Sequence, residues 1–367
     1  MVRKNMERID EIVTRYLNNR IITACAVGLS RRDEKKFAIV DLFWGVTGRG
    51  LADPPVDKNT FFDVASLTKP LVTLLCLLSL IRQGKTDFSE DLATLLPCVV
   101  PEDKKEITLL QLIGHLSGLP AHRKYYQKKK PAQNLDPGLL CCWILDEPLA
   151  CAPGEEYIYS DLDYMLLGRI IEHKSGEDMG AYWRREIVDP LKLGDEFHLY
   201  GEPVGSKKNF VSTGGDGFEE DEGHGQVHDD NCRAAGRVLG HAGLFSTLHG
   251  VVSLCNCILQ SCLEGEGHPA YRDSDMRFLL AAGLGNRWAC GFDVRTGEKP
   301  SSGTFFSERS IGHLGFTGTS LWIDLEKKLS VVLLTNRVIY GQDASGIRQM
   351  RPLLHDAAIE ALSPNVI

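Results

Sequence analysis

The sequence predicts an α/β (α+β) body whose sheet is built from both ends of the chain, with a mostly helical lobe inserted between them. Three observations carry this. Strand-like patterns cluster near the two ends, at residues 21–29, 37–44, 319–324 and 329–335. The intervening stretch, residues 87–200, reads mostly as helices joined by Pro/Gly turns. Isolated strands need partners, and the middle offers few, so the terminal strands must find one another. The length, 367 residues, suits one large body with a second lobe. The boundaries follow as 1–75 with 235–367 for the sheet body, and 76–234 for the lobe.

The elements can be justified in order. Within residues 1–20, Ile9, Ile12, Val13 and Leu17 fall at helical spacing and mark an amphipathic helix. A basic start with no apolar run behind it is not the pattern of a secretory signal. Residues 21–29 and 37–44 then form two strands, with the charged stretch from Arg31 to Lys36 as their turn. Gly45, Gly48, Gly50 and the pair Pro54-Pro55 break the pattern. An apolar helix follows over 66–83, stopped by Gly84. Its most apolar part, 70–81, is too short to cross a bilayer. Residues 109–116 and 162–174 are the clearest later helices. Residues 201–231 are rich in glycine and acid, including Glu219-Glu220-Asp221-Glu222, and read as a solvated loop. Strands at 319–324 and 329–335 flank a turn at 326–328, and a helix over 346–362 ends the pattern.

Composition excludes several functions. With a net charge of −8 and a pI near 5.8, the chain lacks the basic surface of a nucleic-acid binder. Its 11 cysteines are odd in number and lack zinc-ligand spacing, which points to reduced thiols and a cytoplasmic protein. Gly84-Lys85-Thr86 resembles the end of a P-loop, but Ser79 stands where the loop requires glycine. His224 and His228 are four apart without the helical Glu of a metal pair. The chain has no G-x-S-x-G elbow. The basic-aromatic stretch at 124–130 fits a solvated face better than a nucleic-acid site. His115, among Leu112, Leu116 and Leu119, reads as a hydrogen-bonded core residue, and so does His241. No metal or cofactor is implied.

Three segments carry chemistry. Ser66 and Lys69 are three apart at a helix start, so they share a face at roughly 5–6 Å. A serine hydroxyl is a weak nucleophile without a base beside it, and a lysine in a partly dry site loses its proton more readily than in water. The bland alternative makes Ser66 a helix cap. Tyr159, after the turn Ala152-Pro153-Gly154-Glu155, is a candidate proton shuttle, provided a nearby cation brings its pKa down from ~10. Gly312 and Gly315 mark close backbone approach, where an N–H can complete an oxyanion hole with that of Ser66.

Together, Ser66-Leu67-Thr68-Lys69, Tyr159-Ser160-Asp161 and His313-Leu314-Gly315 resemble the three ordered motifs of the serine β-lactamase and penicillin-binding-protein superfamily, most closely its class C and esterase-like branch. Residues 107–120, Asp229-Asp230-Asn231 and residues 240–247 resemble further segments of the same family. The likeness runs from about residue 20 to 362. It implies a three-layer α-β-α sandwich with an antiparallel sheet. It also implies an acyl-enzyme on Ser66, with Lys69 and Tyr159 moving the proton and the N–H groups of Ser66 and Phe316 holding the oxyanion. Asp161, His313, Gly315 and Phe316 are then substrate and oxyanion residues. Two departures stand out: Asp161 where the family usually has Asn, and His313 with Leu314 where it usually has Lys and a hydroxyl residue. A largely neutral His313 pulls weakly on anions, which favours small neutral esters or amides over carboxylated β-lactams. D-Amino-acid peptidase and β-lactamase are the alternatives within enzymes, and a slow-turnover penicillin-binding sensor is the alternative outside them. The expected partner is a small-molecule ester, amide or β-lactam, with no nucleic acid and no membrane; the oligomeric state stays open.

Overall fold

A computed structural model describes residues 2–34, 36–50, 52–128, 133–204, 209–214, 223–263, 267–283 and 288–362. The acidic run 219–222 lies outside the described residues. In chain order the strands are β1 (Ala24–Asp33), β2 (Lys36–Gly45), β3 (Thr60–Asp63), β4 (Phe197–Leu199), β5 (Asn209–Phe210), β6 (Leu244–Ser246), β7 (Trp288–Ala289), β8 (Phe292–Val294), β9 (Ser310–Leu314), β10 (Ser320–Asp324) and β11 (Leu329–Thr335). Seven of them form one sheet in the order β2-β1-β11-β10-β9-β8-β7, antiparallel at every pairing. The sheet therefore joins the two ends of the chain, as their patterns predict.

Alternation along the strands divides the core in two. Cys25, Val27 and Leu29 of β1 and Val331 and Leu333 of β11 face one way. They pack on Ile9, Ile12 and Val13 of the helix Val2–Asn18, and on Ile347, Met350 and Leu354 of the helix Ser345–Ala361. Ala24, Ala26, Val332 and Leu334 face the opposite way, toward Val251, Val252 and Leu254 of the helix Leu248–Leu263. Helix, sheet and helix make three layers. The inner core continues into the helical layer through Leu71, Leu74, Leu75 and Leu78, each fully buried. Each such side chain contributes about 1.5–3 kcal/mol by leaving water.

The charged turn between the first two strands is tighter than its composition suggests. Arg31, Arg32 and Asp33 belong to β1, and Asp33 pairs with Lys36. β1 is paired on both sides here, Arg31 with Leu329 of β11 and Asp33 with Lys36 of β2, and this backbone pairing outweighs their polarity.

A smaller sheet, β4-β6-β3-β5, lies against the sequence before Ser66. Phe62 pairs with Ser246 and Asp63 with Phe245. This pairing brings residues 240–246 beside the serine turn. The run predicted as one helix over 66–83 is instead three pieces: a 3-10 turn Ala65–Leu67, a π-helical turn Lys69–Leu74 and an α-helix Leu75–Arg82. Pro70 supplies a physical reason. It has no N–H to donate to the carbonyl of Ser66, so the α pattern cannot begin there. Gly84 ends the helix with φ +69°, as predicted. The segment Ala65–Arg82 is apolar and long enough to span a membrane, but 89% of it is buried inside the protein.

Candidate active site

Ser66 is the one residue between Thr60 and Ile81 that is not buried. It follows Ala65, which holds φ +50°, a left-handed conformation that costs a non-glycine residue energy. Surrounding hydrogen bonds hold that turn in place. The Ala65 N–H donates to Asp63 Oδ1 at 2.8 Å, and the Thr68 hydroxyl donates to the Ala65 carbonyl at 2.6 Å. The hydroxyls of Thr317 and Thr319 donate to the carbonyls of Asp63 and Val64. No side-chain cap marks the start of this helical run, so Ser66 is not a helix cap.

Lys69 is fully buried. Its Nζ donates to Ser66 Oγ at 3.0 Å and to Asp161 Oδ1 at 2.7 Å. The Tyr159 side chain is hydrogen-bonded to both Lys69 and Ser66. Serine, lysine and tyrosine are thus one connected set, and Asp161 anchors its buried end. Asp161 Oδ2 in turn lies 3.2 Å from His122 Nδ1 at the rim.

The electrostatics depart from expectation in two ways. Burial pushes the Lys69 ammonium toward neutrality, but the Asp161 carboxylate, together with Tyr159, more than reverses this and holds it above the ordinary lysine range. Burial raises the Tyr159 hydroxyl above its ordinary range, and the Lys69 charge does not bring it down. Both groups therefore carry their protons in the free site. Burial also works against ionisation of Asp161, yet Lys69 and His122 hold it below the usual carboxylate range. The carboxylate in place of the family's usual Asn is what fixes the lysine charge.

His115 is a hydrogen-bonded core residue, as predicted, but it lies beneath Tyr159, with ring centroids 4.7 Å apart. Its Nδ1 accepts from the Ser160 N–H at 3.1 Å and faces Asp163 Oδ2 at 3.1 Å. Burial holds the Asp163 carboxyl well above its ordinary range, so Asp163 carries the proton it shares with that nitrogen. His313 is neutral: burial and then Lys69 bring it down to about 3. Its Nδ1 lies 3.0 Å from the Leu314 carbonyl. Gly315 packs where no side chain fits. A Cβ there would lie 1.9 Å from Thr319 Oγ1 and 2.7 Å from the Val64 carbonyl. Gly315→Ala should accordingly cost about 1–3 kcal/mol of stability and displace the neighbouring cavity wall, reducing kcat/KM roughly tenfold or more. A thermal melt paired with steady-state kinetics checks both; an unchanged melting temperature and rate would contradict this packing.

Two cavities meet at Ser66, Tyr159 and Phe316. One, of about 230 Å³, is also lined by Asp161, Asp229, Asp230 and His241. The other, of about 670 Å³, is lined by His313, Gly315, Arg337, Arg348 and Arg351. Phe316 stacks on His228 at 5.0 Å, and the Arg337 guanidinium lies 4.3 Å from the Phe316 ring centre. The sequence reading missed the three arginines. The His241 ring is buried, its Nε2 lies 3.0 Å from Asp229 Oδ1, and it lines the cavity. The i, i+3 spacing of Arg348 and Arg351 on one helix face was the available signal; nothing in the sequence indicates that this face meets Ser66. His224 is bound to the Phe210 carbonyl and takes no part in the site.

Comparison with known proteins bears on the family and the fold. A family model described as Beta-lactamase matches residues 10–353. A protein of Escherichia coli K12 named "Putative D-alanyl-D-alanine carboxypeptidase" is 30% identical over 325 residues, covering 80% of this chain and 74% of its own. A Bacillus subtilis protein named "N-acetylmuramyl-L-alanine amidase" is 28% identical, covering 91% of this chain and 81% of its own. Among solved structures, "EstCE1, a hydrolase with promiscuous acyltransferase activity" superposes with a TM-score of 0.74 at 18% identity, over 97% of this chain and 99% of that one. An octameric penicillin-binding protein homologue from Pyrococcus abyssi gives 0.69 at 17% identity, over 95% and 77%. At such identities these likenesses carry the fold.

Proposed function

The chain belongs to the β-lactamase family, and from that premise we propose that it is a serine hydrolase in which Ser66 is transiently acylated by an ester or amide. The observation that carries this is the hydrogen-bonded set of Ser66, Lys69, Tyr159 and Asp161 at the only unburied point of an otherwise buried segment. Ser66 Oγ attacks the carbonyl carbon. Its proton passes into the Lys69–Tyr159 pair and returns to the leaving group, after which water repeats the sequence on the acyl-enzyme. Because both groups are protonated in the free site, the pair must first release one proton to solvent before it can accept that of Ser66; the two titrate together. The N–H groups of Ser66 and Phe316 hold the oxyanion, a role supported by the packing of Gly315 against Val64. Eleven unpaired cysteines support a reducing, cytoplasmic setting. Peptide mapping after exposure to a fluorophosphonate tests the assignment. An adduct on the peptide containing Ser66 is expected; hydrolysis persisting with Ser66 unmodified would overturn it.

The arginines favour a refinement of substrate class. His313 is indeed neutral, but the cavity beyond it is not. Arg337 spends its N–H groups on the carbonyls of Phe316 and Gln342, and Arg351 spends two on those of Gly315 and Thr319. Arg348 lies exposed beside them. Burial first, and then the charge of Arg348, weakens the hold of Arg337 on its proton; burial, then Arg337 and Arg348, does the same to Arg351. Substrates carrying a carboxylate on that side are therefore favoured, as a D-amino-acid peptide would. Arg348→Ala should lower kcat/KM for a carboxylated substrate about tenfold relative to a neutral p-nitrophenyl ester, a difference of ~1.4 kcal/mol. Equal losses on both substrates would remove the arginine from recognition.

A further inference from the structure

Phe316 carries one of the two N–H groups that the acyl-enzyme reading assigns to the oxyanion. Among the described residues none accepts from that N–H, and Phe316 lines both cavities that open at Ser66. The carbonyl of the same peptide unit belongs to Gly315, and it accepts from Arg351 Nη2 at 2.7 Å. The same nitrogen donates to the Thr319 carbonyl at 2.8 Å. We infer that Arg351 is a positioning residue, whose guanidinium aims and polarises the Gly315–Phe316 peptide as an oxyanion donor. This role rests on the acyl-enzyme reading above, and Arg351 fills it without touching substrate.

A peptide unit is planar, with its C=O and N–H pointing opposite ways, so whatever pins one end aims the other. The turn 315–319 is held from two sides. On the serine side, the Thr317 and Thr319 hydroxyls donate to the Asp63 and Val64 carbonyls at 2.7 and 3.1 Å. On the side of the helix Ser345–Ala361, Arg351 bridges the two ends of the turn, where the Gly315 N–H also meets the Thr319 carbonyl at 2.7 Å. Arg337 Nε takes the next carbonyl, that of Phe316, at 2.7 Å. Of the three cavity arginines, only Arg351 donates to the peptide that carries the oxyanion N–H. Its charge matters as much as its place. Arg351 is 7% exposed, and among the described residues no carboxylate pairs with it. Its Nε is buried without a hydrogen-bond partner. A buried cation without a counter-ion is costly, and here the two carbonyls offset that cost. Charge-assisted bonds are roughly twice as strong as neutral ones, and a donor on an amide oxygen strengthens the N–H at the other end of that amide. An N–H so polarised favours the negative charge that develops only in the transition state.

Two variants test this on a neutral p-nitrophenyl ester and on a carboxylated substrate. Arg351→Met removes the charge and should lower kcat/KM about 10–100-fold on both, short of the roughly 10²–10³-fold cost of losing an oxyanion donor outright. Arg351→Lys keeps a cation, one bond short of that nitrogen, and should lose about 3–10-fold on both. A trifluoromethyl ketone supplies the readout that a packing role would not move. Ser66 Oγ adds to its carbonyl carbon, the π pair becomes the oxyanion, and the serine proton passes to the Lys69–Tyr159 pair. The ketone's affinity should fall by the same factor as kcat/KM, while that of the corresponding unreactive alcohol stays within about twofold. A loss confined to the carboxylated substrate would make Arg351 a substrate contact and overturn the role. So would equal losses of ketone and alcohol affinity, or a lower melting temperature with kcat/KM unchanged. Arg351→Lys carries each of these outcomes if Arg351→Met does not fold. Fluorophosphonate labelling separates the two readings. No adduct on Ser66 in the wild type would overturn the acyl-enzyme reading and this role with it; a labelled wild type beside an Arg351→Lys variant of equal rate would overturn this role alone.

Discussion

Ser66→Ala is expected to abolish acylation and to lower turnover by several orders of magnitude. In enzymes whose nucleophile and base act as one unit, removing the nucleophile alone costs up to ~10⁶ in kcat. The loss should come without unfolding. Ser66 is partly exposed, and Lys69 keeps its stronger contact, the 2.7 Å hydrogen bond to Asp161, when the serine oxygen is gone. The backbone strain at Ala65 is held by Asp63, Thr68, Thr317 and Thr319, none of which the substitution touches. Intact-protein mass spectrometry after fluorophosphonate treatment should show no adduct, and the thermal transition should stay within about 2 °C of the wild type. A folded variant retaining more than a few per cent of wild-type kcat/KM would remove Ser66 from the chemistry.

Tyr159→Phe carries the second largest effect. The hydroxyl links Lys69 to Ser66, and its loss breaks the proton path while the ring keeps its place over His115. A general acid–base group contributes about 10²–10⁴-fold, and that is the drop expected. Asp161→Asn should be milder and should act mainly on pH dependence. Asp161 holds the Lys69 ammonium above its ordinary range. Removing that charge lowers the lysine pKa, so the unprotonated base forms at lower pH. The acid limb of kcat/KM should move down by about one pH unit or more. The same pair affects stability. The Asp161 carboxyl is held below its usual range, so its contribution is present above that range and lost as pH falls through the depressed value. The Asn variant should therefore lose less stability on acidification. An acid limb moving upward, or a Tyr159→Phe variant more active than Asp161→Asn, would contradict this arrangement of charge.

The sequence by itself determined a good deal. Strand periodicity at the two ends predicted a sheet that joins them, because strands must pair and their alternating faces must be covered. The order and spacing of Ser66, Lys69, Tyr159 and His313 were enough to nominate a site. Within it, only the Ser66–Lys69 contact is local, set by one helical turn. What the tertiary structure decided was everything carried by burial and by long-range contact. Lys69 and Asp161 are 92 residues apart, yet 2.7 Å separates their charges, and that distance reverses the expected direction of the lysine pKa. Pairing of β3 with β6 carries the buried His241 to the cavity beside the serine. Arg337, Arg348 and Arg351 reach the cavity from the C-terminal segment, beside a neutral His313. Local pattern reports which face of an element is apolar; it does not report which distant charge will share that element's dry end, and in a low-dielectric site that neighbour sets the protonation state.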